Sequence, residues 1–444
     1  MGMRAADDIT RRGVLRAASG LLAGAALARR VFADERPPVT QPRATSGDAR
    51  VEPDWDRRLT ITVGPAQADL VGRDDKVIQA GVDYVARLGG GTVRILPGTY
   101  ALRNAVYLRS GIRLVGSGTD SVLLKNPSKT LALAEDADWY DQEITLADAD
   151  GVRIGDGVFL KNGNDTAKRT LVARAGNRFK LDRALRKNFW IKQSPQVATL
   201  FPLLSGENIA DVVIENLTLD GNRAENDNLN GNYGGCVFLQ DCNRFTMRGL
   251  TTRNYNGDGV SWQICHDCVV ENCHSYDNAD LGLHPGSGSQ RPLIRGNTVQ
   301  RNRIGIFYCW GVKYSLAEKN TLEENTFGIS IGHNDTDNLI RNNVIRDSGT
   351  NGVLFRTDDR GKDFWPNRNT LEDNRIFDNG DDEGVAIDIQ GQTRSITLAR
   401  NEVRETRAPM RRTGIKIGPE TRDIQLIDNR IDGFAVPVAD LRKA

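Results

Sequence analysis

The sequence predicts an all-β chain wound as a right-handed parallel β-helix, a solenoid, and three observations predict it. One glycine followed by alternating apolar residues recurs at Gly235, Gly259, Gly282, Gly305, Gly328 and Gly352, at spacings of 24, 23, 23, 23 and 24 residues. Asparagines track the glycines from coil to coil at Asn272, Asn297, Asn320, Asn343, Asn374, Asn401 and Asn429, each just before or at the start of a short stretch such as Thr298-Val299 or Val344-Ile345. The composition is rich in turn formers, with 45 glycines against 6% aromatic residues, as short strands joined by tight turns require. A period near 23 residues is one coil of a parallel β-helix. An asparagine at each turn bonds the backbone of a neighbouring coil and tolerates the left-handed conformation. A leucine-rich repeat has a similar period, but these coils carry neither its LxxLxL pattern nor a helical segment.

Taken in order, residues 1–33 lie outside the predicted fold. Thr10-Arg11-Arg12-Gly13-Val14-Leu15 precedes a small apolar run from Ala17 to Ala28, the pattern of a twin-arginine-type export signal. Val31-Phe32-Ala33 or Ala26-Leu27-Ala28 offers the cleavage geometry. The run is too short and too rich in Gly and Ala to span a bilayer. The mature chain is therefore expected to be soluble, periplasmic or secreted, with no membrane partner. Residues 34–58 read as a linker.

Residues 59–130 hold an N-terminal cap and the first coils. Asp74 and Asp75 precede Val77, Ile78, Val82 and Val85, one face of a short helix that ends at Gly89-Gly90-Gly91. Such a helix closes the open end of a solenoid, whose bare strand edges invite aggregation. Residues 131–200 break the rhythm and read as an inserted β-rich subdomain. Residues 201–434 form the main run of coils, with longer turns before Gly384 and Gly414, and 435–444 form a tail.

With 59 basic against 58 acidic residues and a net charge of +1, and no long block of one sign beyond the N-terminus, nucleic acid is excluded as a partner. Six cysteines lie between 236 and 309 without zinc-ribbon spacing. Cys242 and Cys265 stand one repeat apart, a stacking that permits a bridge. The others read as packing thiols.

Register turns the repeat into a surface map, because residues at one register form a column with about 4.8 Å between coils. The first residue after each glycine is apolar and faces the core. The second faces outward, giving the column Ser261, His284, Phe307, Ser330, Leu354, Ala386 and Lys416. Beside it stand Gln263, Gly286, Cys309, Gly332, Arg356 and Asp388. This face lacks the Lys, Glu and Thr mixture of an ordinary solvated strand and reads as a groove. At its margins lie Asp258, Asp280, Trp310, Lys313, His333, Asp335 and Asp337.

Asp258 and Asp280, on adjacent coils, are candidate catalytic carboxylates, since each raises the other's pKa and so separates an acid from a base. His284 and His333 are candidate acid–base groups. Gln263, Trp310, Lys313 and Arg356 are candidate substrate-binding residues, Trp310 by stacking on a sugar ring. The same map accommodates proton abstraction beside a uronate carboxylate, with His284 or Lys313 as base and Arg356 stabilising the enolate. No cofactor is expected except calcium, which Asp335 with Asp337 would hold.

The capping helix, the stretch from Gly89 to Tyr100 (GGGTVRILPGTY) and the LVGSG turn at Leu114–Gly118 together resemble the N-terminus of the pectate-lyase superfamily of β-helices. Asn256-Gly257-Asp258-Gly259 and Asn278-Ala279-Asp280-Leu281-Gly282 resemble the NTDG and following DD coils of polygalacturonases. That resemblance implies catalytic roles for Asp258 and Asp280. Ala279 replaces the first carboxylate of the DD pair, and Ile304 stands before Gly305 where that family has a GHG histidine. The expected function is an exported carbohydrate-active enzyme that cleaves glycosidic bonds of a polysaccharide or oligosaccharide. Hydrolysis ranks ahead of a lyase or epimerase reaction on uronates, and a non-catalytic glycan-binding β-helix is the alternative of another class.

Overall fold

The computed structural model of the chain describes residues 35–40, 52–357, 360–361, 363–408 and 411–443. The expected export signal lies outside the described residues, as does much of the expected linker. From Thr60 onward the chain winds into coils of short parallel strands. One face of the stack is a run of eleven parallel strands beginning with Val106–Tyr107 and Leu204–Glu207 and ending with Thr413–Ile417 and Val436–Asp440. The last strand pairs Ile415 with Val438, so the coils continue through residues expected to be a tail.

The core column follows the predicted period. Val260, Leu283, Ile306, Ile329, Val353, Ile387 and Ile415 pair in register from coil to coil and are fully buried. Each such side chain contributes roughly 1.5–3 kcal/mol by leaving water. The glycine before each of these except Ile387 has a steric cause. A Cβ on Gly305 would come within 2.6 Å of Gly328 O, and one on Gly259 within 2.7 Å of Gly282 O.

One register differs from the sequence reading. Val353 pairs with Ile387 and Leu354 with Asp388, so Asp388, not Ala386, continues the outward column toward Lys416. Gly384 lies two residues before the position that matches Gly352, and Ala386 occupies that position.

The asparagines form a buried ladder, although their backbone is not left-handed. The Asn297 N–H and its Nδ2 both donate to Asn320 Oδ1, at 3.0 and 2.9 Å, and Asn320 Nδ2 donates to Ile294 O. Asn320, Asn343, Asn374, Asn401 and Asn429 continue the pattern. Positive φ belongs instead to the preceding residues Gly296, Lys319, Asn342, Asp373, Arg400 and Asp428. Asn272 is such a turn residue at φ 53°, and Cys273 takes the ladder position, its N–H donating to Asn297 Oδ1.

The helix Asp75–Arg87 caps the first coils, with Asp74 accepting from the Val77 N–H and Ile78, Val82 and Val85 fully buried. Six strands between Thr130 and Ala198 form a separate sheet with its own core around Leu160, Leu171, Phe179 and Val197. All six cysteines are free thiols. No described helix is long and apolar enough to cross a membrane.

Candidate functional site

The eleven-stranded face aligns Tyr107, Ser205, Phe238, Ser261 and His284 in one column. Phe307, Ser330, Leu354, Asp388 and Lys416 form the next part of that face. Between the two parts, the rings of His284 and Phe307 meet edge to face at 5.3 Å. Alternate residues of a strand share a face, so the column projects away from the aliphatic core.

It does not project into open solvent. Asp258 is 0% exposed and His284 3%, because residues 226–235 cross over them. Gly231 O accepts from Ser261 Oγ at 2.6 Å, and any Cβ on Gly231 would overlap the Asp258 carboxylate. The segment is anchored at its start by Lys125, whose Nζ donates to Asn226 Oδ1 at 2.6 Å and Thr199 O at 3.1 Å. Burial pushes the Lys125 amine down to about 7. The inserted sheet holds the same segment through Thr130 and Asp227, and its Lys168 stands 4.0 Å above the Phe238 ring. The insertion therefore borders this face.

Beneath that cover, His284 Nδ1 donates to Asp258 Oδ2 at 2.7 Å, and Asp258 Oδ1 accepts from the Leu281 N–H at 3.2 Å. Burial alone lowers the affinity of His284 for its proton, but the Asp258 carboxylate and the Cys309 thiol reverse this and raise its pKa to about 9. Burial also raises the pKa of Asp258, partly offset by His284 and reinforced by the charge of Asp280. Ser261 Oγ lies 3.4 Å from Nδ1. His284 Nε2 is buried and has no hydrogen-bond partner, a costly state for an N–H donor unless something binds there.

Asp280 accepts from Asn228 Nδ2 at 3.0 Å, lies 3.5 Å from Arg303 Nε and keeps 23% of its side chain exposed. The two aspartates thus differ: one is sealed against histidine, the other stands at the rim. Gln263 lies folded over Gly286, with Nε2 donating to Ser261 Oγ and Oε1 accepting from Ser287 Oγ. Arg356 stacks 4.4 Å above Phe307 and donates to Ser330 Oγ and Tyr308 O.

Three expected site residues lie elsewhere. His333 is buried, and its Nδ1 accepts from the Arg360 N–H while its ring lies between Trp310 and Phe364. Trp310 is 47% exposed and belongs to that aromatic group. Lys313 bridges Gln290 and Thr336 in a column with His266, around the bend from the eleven-stranded face, because the chain turns after Trp310.

The expected calcium carboxylates are also committed. Asp335 accepts from the N–H groups of Gly311, Val312 and Gly332, and burial lifts its pKa to about 6. Asp337 takes the Arg368 fork on both oxygens at 2.8 and 2.9 Å. Such a cap and such a pair leave no open oxygen cage of the kind calcium takes. Ser261 and Cys309 stood in the outward columns of the sequence without a role. Asn228 and Gly231 carried no signal, because nothing in the pattern shows a turn folding back over the strands.

Residues 235–403 match the family described as right handed beta helix region. No curated protein sequence matches the chain. Among solved structures, the A-module of mannuronan C-5 epimerase AlgE4 from Azotobacter vinelandii superposes with a TM-score of 0.55. It is 14% identical, over 86% of this chain and 100% of that one. ORF18 of Geobacillus virus E2 gives 0.51, at 12% identity, over 83% and 62%. A family 28 exopolygalacturonase from Yersinia enterocolitica gives 0.46, at 16% identity, over 83% and 75%.

Proposed function

We propose that this right-handed parallel β-helix is an exported carbohydrate-active enzyme that transforms a polysaccharide or oligosaccharide laid along the eleven-stranded face, in the periplasm or outside the cell. The observation that carries the reading is the His284–Asp258 pair: a ring held by a carboxylate through Nδ1 at 2.7 Å, with Nε2 unpaired. An imidazole oriented in this way is equipped to move a proton. A cavity of about 580 Å³ lined by Tyr107, Ser205 and Glu207 continues the same face. It lies three coils from His284, roughly 14 Å at about 4.8 Å per coil, a span suited to a chain of sugars.

The geometry favours proton transfer on a uronate, by β-elimination or epimerisation, over hydrolysis by paired carboxylates. Asp258 has both oxygens engaged, by His284 and by the Leu281 N–H, and so none to offer a glycosidic oxygen, whereas Arg303 at the rim and Arg356 over Phe307 suit a carboxylated sugar. An epimerase acting on mannuronan has the same fold, which supports the substrate class. Access to Nε2 then requires residues 226–235 to lift, a lid movement of the usual kind. Hydrolysis is the second reading, and the partly exposed Asp280 carboxyl favours it.

The test is a panel of polysaccharides. Ultraviolet absorbance of an unsaturated uronate is expected from elimination, and a change in uronate stereochemistry without cleavage from epimerisation. New reducing ends without that absorbance would establish hydrolysis instead. Binding without any product would leave a glycan-binding solenoid.

A further inference from the structure

We propose that Cys309 is a nucleophile served by His284 and Asp258, and that this trio hydrolyses an ester carried on the saccharide; the substrate class rests on the reading of the face given above. Cys309 pairs by an isolated parallel bridge with Gly286, two residues beyond His284 on the adjoining coil. Residues two apart share a strand face, so the thiol leaves the coil on the side where His284 stands. Cys309 is partly exposed, while Cys236, Cys242, Cys265, Cys268 and Cys273 are sealed in the core. Nδ1 of His284 is taken by Asp258 and Nε2 is buried without a hydrogen-bond partner, so Nε2 is the ring nitrogen left for the thiol. Nucleophile at Nε2 and carboxylate at Nδ1 is the order that an acyl-transfer relay uses.

The step balances with water as the only other reactant. The thiol proton passes to Nε2, Sγ bonds the ester carbonyl carbon, and the tetrahedral oxyanion collapses with cleavage of the C–O bond. The departing alcohol takes the proton from Nε2. Water then attacks the thioester, its proton passes to Nε2, and the C–S bond breaks. The thiolate regains that proton and a carboxylic acid leaves.

The test uses the full chain with p-nitrophenyl acetate, quenched in acid during turnover and mapped by peptide mass. An acetyl thioester on Cys309 is expected. Cys309→Ala should lose the adduct and lower ester turnover by on the order of 10³-fold. Asp258→Asn should slow both formation and decay of the adduct, with circular dichroism unchanged. Ester turnover at the wild-type rate in Cys309→Ala, or acetyl found only on other residues, overturns the nucleophile. Acetate release from an O-acetylated polysaccharide is also expected. Aryl ester turnover by Cys309 without such release would overturn the saccharide substrate alone.

Discussion

Asp258 and His284 face each other across adjoining coils, with Nδ1 of the ring 2.7 Å from Oδ2 of the carboxylate and both side chains shut away from water. The pair is held in place from three sides: by the Leu281 N–H on Oδ1, by Ser261 beside Nδ1, and by Gly231 above. His284→Ala should abolish turnover of the polysaccharide found by the panel. Asp258→Asn, which keeps the shape and removes the charge, should lower kcat about 10²- to 10⁴-fold. Unchanged kinetics in either variant, with native circular dichroism, would remove the pair from the chemistry.

The same pair makes stability depend on pH. The pKa of His284 rises from 6.5 to about 9 in the fold, so the native state holds its proton more tightly than the unfolded chain. The stabilisation, a few kcal/mol at most, is whole below pH 6.5 and is lost as pH climbs through about 9. The raised pKa of Asp258 adds a loss of the same sign as pH climbs, so the two groups are removed together in the comparison. Thermal melts should show the wild type losing its advantage over an Asp258→Asn/His284→Gln double variant across that window. A constant difference from pH 6 to 10 would contradict it.

The ladder and the left-handed turn beside it predict opposite outcomes at neighbouring positions. Asn343→Ala removes the acceptor used by the Asn320 backbone and side chain and the donor to Ala317 O. Buried groups left unpaired cost about 1–3 kcal/mol each, so the melting temperature should fall clearly. Asn342→Gly, at a φ of 54°, suits glycine and should change little. Equal effects at the two sites would mean that the stacked amides do not hold the coils.

Lys125 should govern the cover rather than the chemistry. Lys125→Met removes the donor to Asn226 Oδ1 and Thr199 O, and limited proteolysis should then cut within 226–235 faster than in the wild type. An unaltered cleavage rate would show that the remaining anchors suffice.

Chelation should leave melting temperature and turnover unchanged, because Asp335 and Asp337 are already bound by three backbone N–H groups and by Arg368. Asp335→Ala should lower the melting temperature by stranding those donors. A chelator effect reversed by added calcium would place an ion elsewhere in the chain.

The coil period was legible because aliphatic columns and close-approach glycines repeat with every turn of the solenoid. The outward column was legible too as far as Leu354, with His284 in it and Asp258 and Asp280 at its margin. The shift at Ala386 was not, because a loop of altered length before Gly384 resets the register while preserving a glycine in the sequence. Burial of the pair was also hidden. Whether strand residues meet water depends on where 226–235 lies, and its position is set by Lys125 and by an insertion distant in sequence. Asp335 shows the same limit: a carboxylate beside a polar turn reads alike as an ion ligand or as a cap, and only the direction of three N–H groups separates them.

Gly231 gives the site an unusual point of control. Because this residue has no side chain, the strap over the histidine sits flush against the carboxylate, and one methyl group there would act as a wedge. Access to the histidine and its reactivity are thus separable: a doorstop can be built at a position that takes part in no proton transfer.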